Sequence, residues 1–226
     1  ELFIWDVPSP YSGPGSGDYL DQFGVTRTSF NGDMAHLIGY GGGGGVAWLN
    51  TLCNGLASYR MAYSGIGSSY NNVPTYSWST MVVTHEAGHN LGSPHTHACW
   101  WNGNGTNIDG CGPTANSGYS EGSCPIGPIP TGVGGTIMCY CHLVSGVGIN
   151  LAYGFGPQPT AVIVNAVNPN GVERNTSSAN PAANPTIAPS SARISASSAA
   201  SWCSSCSGCS CGGSSPSGGE RRTPSG

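Results

Sequence analysis

The chain has no lysine, and Asp, Glu, Lys and Arg together make up only 7% of its residues, against roughly a quarter in an ordinary globular protein. Six arginines face ten acids, the net charge is −4, and no basic run occurs. The electrostatic footprint of a nucleic-acid binder is therefore missing. No apolar stretch approaches the ~18 residues that a membrane-spanning helix needs. No signal-peptide pattern is visible, and residue 1 is Glu1 rather than Met. This points to a start behind a processing site or inside a longer gene product.

What the chain has instead is glycine, serine, asparagine and cysteine. There are 37 glycines and ten cysteines in 226 residues. Cys53, Cys99, Cys111, Cys124, Cys139 and Cys141 lie in the body, and Cys203, Cys206, Cys209 and Cys211 lie in the tail. An even count in a charge-poor chain suggests an oxidising compartment and disulfides, over the alternative of a cytosolic thiol protein. Spacing alone does not choose the pairing.

Two regions follow from composition: a body over 1–168 and a tail over 169–226 rich in Ser, Ala, Pro and Gly, with little apolar surface to bury. Disorder is the physical expectation for the tail. In the body, LFIWDV (Leu2 to Val7) reads as a buried strand ended by Pro8 and Pro10. DYLDQF (Asp18 to Phe23) reads as a short helix, and MAHLIGY (Met34 to Tyr40) as a strand. The glycine run Gly41 to Gly45 leads into a strand VAWL, and glycine there permits either close backbone approach or a plain flexible loop. From Tyr76 to Leu91 apolar and histidine residues recur at helical spacing, with Ser77 as cap and Gly92 and Pro94 as stop. Residues 99–136 read as long loops held by disulfides. TAVIVNAV (Thr160 to Val167) fits a helix or a strand.

Four of the six histidines fall in THEAGHNLGSPHTHAC, Thr84 to Cys99. On a helix, residues four apart share a face, so His85 and His89 aim at one spot, with Glu86 beside it. A sharp turn at Gly92 lets His95 supply a third nitrogen. Three imidazoles and an open fourth position are the layout of a catalytic rather than a structural zinc site. HExxH alone fixes three positions and turns up by chance in unrelated helices. HEAGHNLGSPH fixes five, which makes coincidence far rarer.

That longer string resembles HExxHxxGxxH, the signature of the metzincin clan of zinc endopeptidases. GTIMCYC (Gly135 to Cys141) resembles the clan's methionine-containing turn. HTHAC, GTIMCYCHL and GFGPQP look most like the secreted bacterial reprolysin-like, adamalysin-type branch, and the likeness runs from about Leu2 to Val167. The resemblance implies an α+β metzincin-like catalytic domain: a twisted sheet with an active-site helix, then a loop-rich, disulfide-stabilised lower subdomain. It implies one catalytic Zn2+ held by His85, His89 and His95, with Glu86 as catalytic base and Met138 in the turn beneath the metal. It also implies protein or peptide substrates cut at internal bonds by a secreted enzyme. Val46, Ala47, Trp48 and Leu49 resemble the clan's edge strand, which aligns extended substrate by strand addition. Tyr140 stands where the astacin and serralysin branches carry a switchable zinc ligand or oxyanion donor, on which reprolysins in general do not rely. The uncharged loop PIGPIPTGVGG (Pro125 to Gly135) would wall a pocket with a neutral or apolar preference.

The chain also departs from that pattern. Most such domains open with a strand and a long helix ahead of a segment like LFIWDVPSPY, and neither is seen here. Cys139 sits in the methionine turn where a small residue such as serine is more usual, and it is read as unpaired or as shifting the disulfide pattern. His97 is read as supporting or structural rather than as a ligand, and His36 and His142 as scaffold groups. Asp109 and Glu121 fit either calcium binding or ordinary loop hydrogen bonds. Sequons stand at Asn104 and Asn175. Two rivals are a secreted zinc-bearing binding or adhesion module without turnover, and a disulfide-rich structural domain with a coincidental motif. The first usually lacks the glutamate, which is present here; the second predicts no bound metal.

Overall fold

The structure, a computed structural model, describes residues 2–4, 8–41, 43–168 and 193–195. Helix α1 (Ser16–Thr26) opens with the Asp18 carboxylate accepting a hydrogen bond from the Gly15 N–H at 3.0 Å. This is a favourable place for negative charge, at the positive end of the helix dipole. Strands β1 (Ala35–Gly39), β2 (Gly45–Trp48) and β3 (Met61–Gly65) follow, then helix α2 (Trp78–Asn90). The lower part holds a short helix α3 (Cys111–Ala115) and helix α4 (Pro157–Val167), and a last strand β4 comprises Arg193–Ser195.

The sheet order is β1-β3-β2-β4. β1 runs parallel to β3, while β2 is antiparallel to both β3 and β4. α1 covers one face, where Leu20 and Phe23 pack with Leu37, Val46, Met61 and Tyr63. α2 covers the other face. Ser64 Oγ donates to the Val82 carbonyl at 3.3 Å, and Asn90 Nδ2 donates to the carbonyls of Trp48 at 2.8 Å and Met61 at 3.2 Å. All five residues of β3 are buried, as expected of a strand covered on both faces.

A second core lies below α2. Met81 packs there with Ile137, Met138, Ile149, Leu151 and the Cys111–Cys141 disulfide. Residues 99–136 are mostly irregular and are held by Cys99–Cys124 as well. The mixed α+β architecture with a disulfide-held lower part is therefore as expected.

Three local readings are corrected, and one strand is added. Leu2, Phe3 and Ile4 are irregular, and Leu2 and Ile4 are 84% and 81% exposed rather than buried in a strand; the rest of that segment lies outside the described residues. β3 was not read from the sequence, because burial on both faces removes the alternation that marks a strand. β2 begins at Gly45 and ends at Trp48, so Leu49 falls just beyond it. Three tail residues form β4, where uniform disorder was expected; the remaining tail, with its four cysteines and Asn175, lies outside the described residues. The segment around Thr160 resolves to a helix, opened by Pro157, whose fixed φ suits the first turn.

Candidate metal centre

Helix α2 carries His85, Glu86 and His89, all buried. Its end is closed by Gly92, at φ +99°, a left-handed conformation that favours glycine. The Gly92 N–H bonds to the His89 carbonyl at 2.9 Å, and the Ser93 N–H to that of Gly88 at 3.0 Å. This turn brings the chain back so that His95 faces the helix.

The three imidazoles converge. Their Nε2 atoms lie 3.1 Å apart for His85 and His89, 3.2 Å for His89 and His95, and 3.1 Å for His95 and His85. The opposite ring nitrogens fix what those atoms are. His85 Nδ1 is 2.7 Å from the Ile137 carbonyl, and His89 Nδ1 is 2.7 Å from the Ser93 carbonyl. A carbonyl only accepts, so each Nδ1 carries the proton and each Nε2 presents a lone pair. His95 Nδ1 is 2.5 Å from the Glu121 carboxylate, which sets the same tautomer. Three lone pairs aimed at one another repel unless a cation lies between them. Ligands ~2.0–2.1 Å from a tetrahedral zinc ion stand ~3.3 Å apart, so the donor set and its spacing fit zinc. Burial also keeps these rings neutral: it lowers His85 to about 4 and holds His89 and His95 well below the usual imidazole value.

Glu86 is fully buried, and neither of its carboxylate oxygens has a hydrogen-bond partner among the described residues. Burial raises its pKa well above the usual value. An uncompensated buried carboxylate is costly, and a divalent cation at the neighbouring imidazoles would offset that cost.

The turn around Met138 supports the centre through its backbone. The Ile137 carbonyl orients His85, and the Met138 carbonyl accepts from the Thr96 N–H at 3.1 Å, next to His95. The Met138 side chain is fully buried against Gly88 of α2. Cys139 is buried and outside any disulfide, its Sγ accepting from the Cys141 N–H at 3.1 Å, and burial pushes its thiol far up. Tyr140 stacks its ring edge-on to His95 at 4.5 Å between centroids and is nearly fully buried.

Glu121 is the member that sequence reading did not place at the site. It reaches His95 across 26 residues of chain because the Cys99 N–H bonds to the Glu121 carbonyl at 2.7 Å and the Cys99–Cys124 disulfide closes the same loop. Only its rarity, as one of ten acids, and its closeness to Cys124 hinted at it. His97 stacks on His95 at 4.9 Å with an interplanar angle of 10°, and its Nε2 is 3.8 Å from Glu121. Asp109 accepts from the Cys111 N–H at 2.9 Å, as a loop hydrogen bond. It stands with Cys111, Cys139 and Cys141 in a second potential metal cluster, but two of those sulfurs are spent in a disulfide. His36 pairs with Ser64 Oγ at 2.8 Å, and His142 lies against Trp78 and Tyr140; neither is one of the three converging imidazoles.

Val46, Ala47 and Trp48 lie in β2, and β2 runs directly over the part of α2 that carries Glu86: a Cβ built at Gly45 would collide with the Glu86 carboxylate. Glycine is therefore required there by close approach. The outer edge of β2 is paired with β4, Val46 opposite Ser195, Ala47 opposite Ile194 and Trp48 opposite Arg193.

Comparison with known proteins agrees with this geometry. A reprolysin-type family model, described as metallo-peptidase family M12, matches residues 1–147. No curated protein and no solved structure matches the chain. With the greater part of its length matched, and with three converging imidazoles beside a buried glutamate, the chain belongs to the reprolysin-type metallo-peptidases of family M12.

Proposed function

We propose that the chain is a secreted zinc endopeptidase, of the bacterial reprolysin-like kind, that hydrolyses internal peptide bonds of proteins. The observation that carries this reading is the set of three Nε2 lone pairs within 3.1–3.2 Å beside an unpartnered Glu86. His85, His89 and His95 would hold the ion. Zinc bound there supplies a Lewis acid that acidifies water and polarises a carbonyl.

The chain's own groups do the rest. Glu86 accepts the proton of the attacking water and passes it to the leaving amine; its burial and raised basicity suit a proton carrier. Glu121 holds His95 in the tautomer that ligates. Tyr140, whose phenol is kept protonated by burial, is a candidate donor to the developing oxyanion. Residues Val46 to Trp48 align an extended substrate, and the uncharged 125–135 loop sets a neutral or apolar preference after the cut. Secretion is supported by the two disulfides. In the sequence-based division, residues 1–168 are the catalytic domain.

The test is release of peptides from unfolded casein by zinc-loaded protein, with and without a chelator, and by Glu86→Ala. Chelator-sensitive cleavage that falls by on the order of 10³-fold in a variant still holding one zinc is expected. A folded, zinc-loaded protein that cuts nothing would sink the reading in favour of a binding module.

A further inference from the structure

On the peptidase reading, an extended peptide passing Glu86 would lie along the edge of β2, and the chain's own tail already lies there. β4 is antiparallel to β2 over Val46 to Trp48, in strand-to-strand register. Its direction matters. Ser195 stands opposite Val46, one residue from Gly45, the position pressed against the Glu86 carboxylate. The tail strand therefore runs with its C-terminal end toward the catalytic glutamate. Pairing of this kind uses main-chain groups and so accepts many sequences.

We propose that Arg193–Ser195 is a tethered occupant of the substrate strand, so that the tail competes with incoming peptides for the edge of β2. This rests on the peptidase reading above for the meaning of the cleft, but not for the contact itself. Residues 169–192 connect the occupant to the end of α4. A tether that lets both sites engage gives an effective concentration on the order of 1 mM. If the tail strand as an untethered peptide binds the edge with a Kd of about 100 μM, tethering it weakens any competing peptide roughly ten-fold. Competition of this size throttles the site without closing it, and a longer or tighter substrate displaces the tail.

The experiment uses the full-length, zinc-loaded chain carrying Glu86→Ala, so that nothing is cut during the measurement. It is compared with the same chain carrying Ile194→Pro and Ser195→Pro, and with one in which Arg193, Ile194 and Ser195 are all replaced by glycine. Hydrogen exchange is followed at the amides of Val46, Ala47 and Trp48; those bonded to β3 serve as the internal control. Binding of a fluorescent peptide of sequence PSSARISASS is measured in parallel. The proposal expects β2 edge amides to exchange at least ten-fold faster in both tail variants, and the peptide to bind about ten-fold tighter. Unchanged exchange, or unchanged peptide affinity, in either variant overturns it. Loss of casein cleavage by the wild-type chain would count against the peptidase reading alone, since the exchange readout does not involve turnover.

Discussion

The centre is built from pairs of residues in which one partner sets the state of the other. Each converging imidazole is fixed by an acceptor at its far nitrogen: Ile137 O for His85, Ser93 O for His89 and Glu121 for His95. The carboxylate is the one that a substitution can remove. Glu121→Gln should weaken zinc binding by ~10–100-fold while leaving the fold in place, as read by titration against a competing chelator. Another histidine, the half-buried His36, reports on the scaffold. His36 is kept neutral by burial, which lowers it to about 4 from 6.5. The unfolded chain then binds the extra proton between those two values, so stability falls as pH drops from about 6.5 to about 4 and levels off below. One proton over that window is worth up to ~3 kcal/mol. His36→Gln should flatten this part of the curve in denaturant unfolding followed against pH. The motif residues His85, Glu86, His89 and His95 were legible at this scale because one helix and one turn fix them locally. Glu121 was not, since its approach depends on a loop pairing between distant segments.

At the scale of elements, α2 is the piece on which two cores meet. Its upper side packs on β2 and β3, and Met81 on its lower side joins the core around Met138. The turn of Met138 is in turn tied to α3 by Cys111–Cys141, separated by 30 residues in sequence. Closing a loop of that length removes unfolded-state entropy worth about 3.5 kcal/mol. Replacing both cysteines by serine should therefore lower unfolding free energy by about that amount and loosen the Ile137 carbonyl that orients His85. Denaturant titration would show the first effect and zinc affinity the second. Strand β1 and helices α1 and α2 were legible from periodicity and caps. β3 escaped because a short run buried on both faces carries no period, and the N-terminal apolar run was misread because apolar composition does not by itself bring a partner surface.

At the scale of the molecule, an ion at the three imidazoles would cross-link the sheet-bearing part and the loop-rich part. Two of the three imidazoles come from α2, and the third follows the turn into the lower region. Zinc at ~1,000 times its Kd would add about 4 kcal/mol to the folded state. Chelation should lower the thermal midpoint by on the order of 10 °C in a domain of this size, measured by calorimetry at constant pH. A midpoint indifferent to the chelator would mean that the three nitrogens hold no ion.

The sequence by itself determined the three-histidine motif with its flanking glutamate, the α+β class and the family, because these rest on spacing along one helix and on short motifs. The tertiary structure decided the support: Glu121 behind His95, the carbonyl of Ile137 behind His85, the two disulfide pairings and the tail strand on β2. Those contacts join residues far apart in the chain, and neither periodicity nor spacing encodes which distant loops or edges will meet.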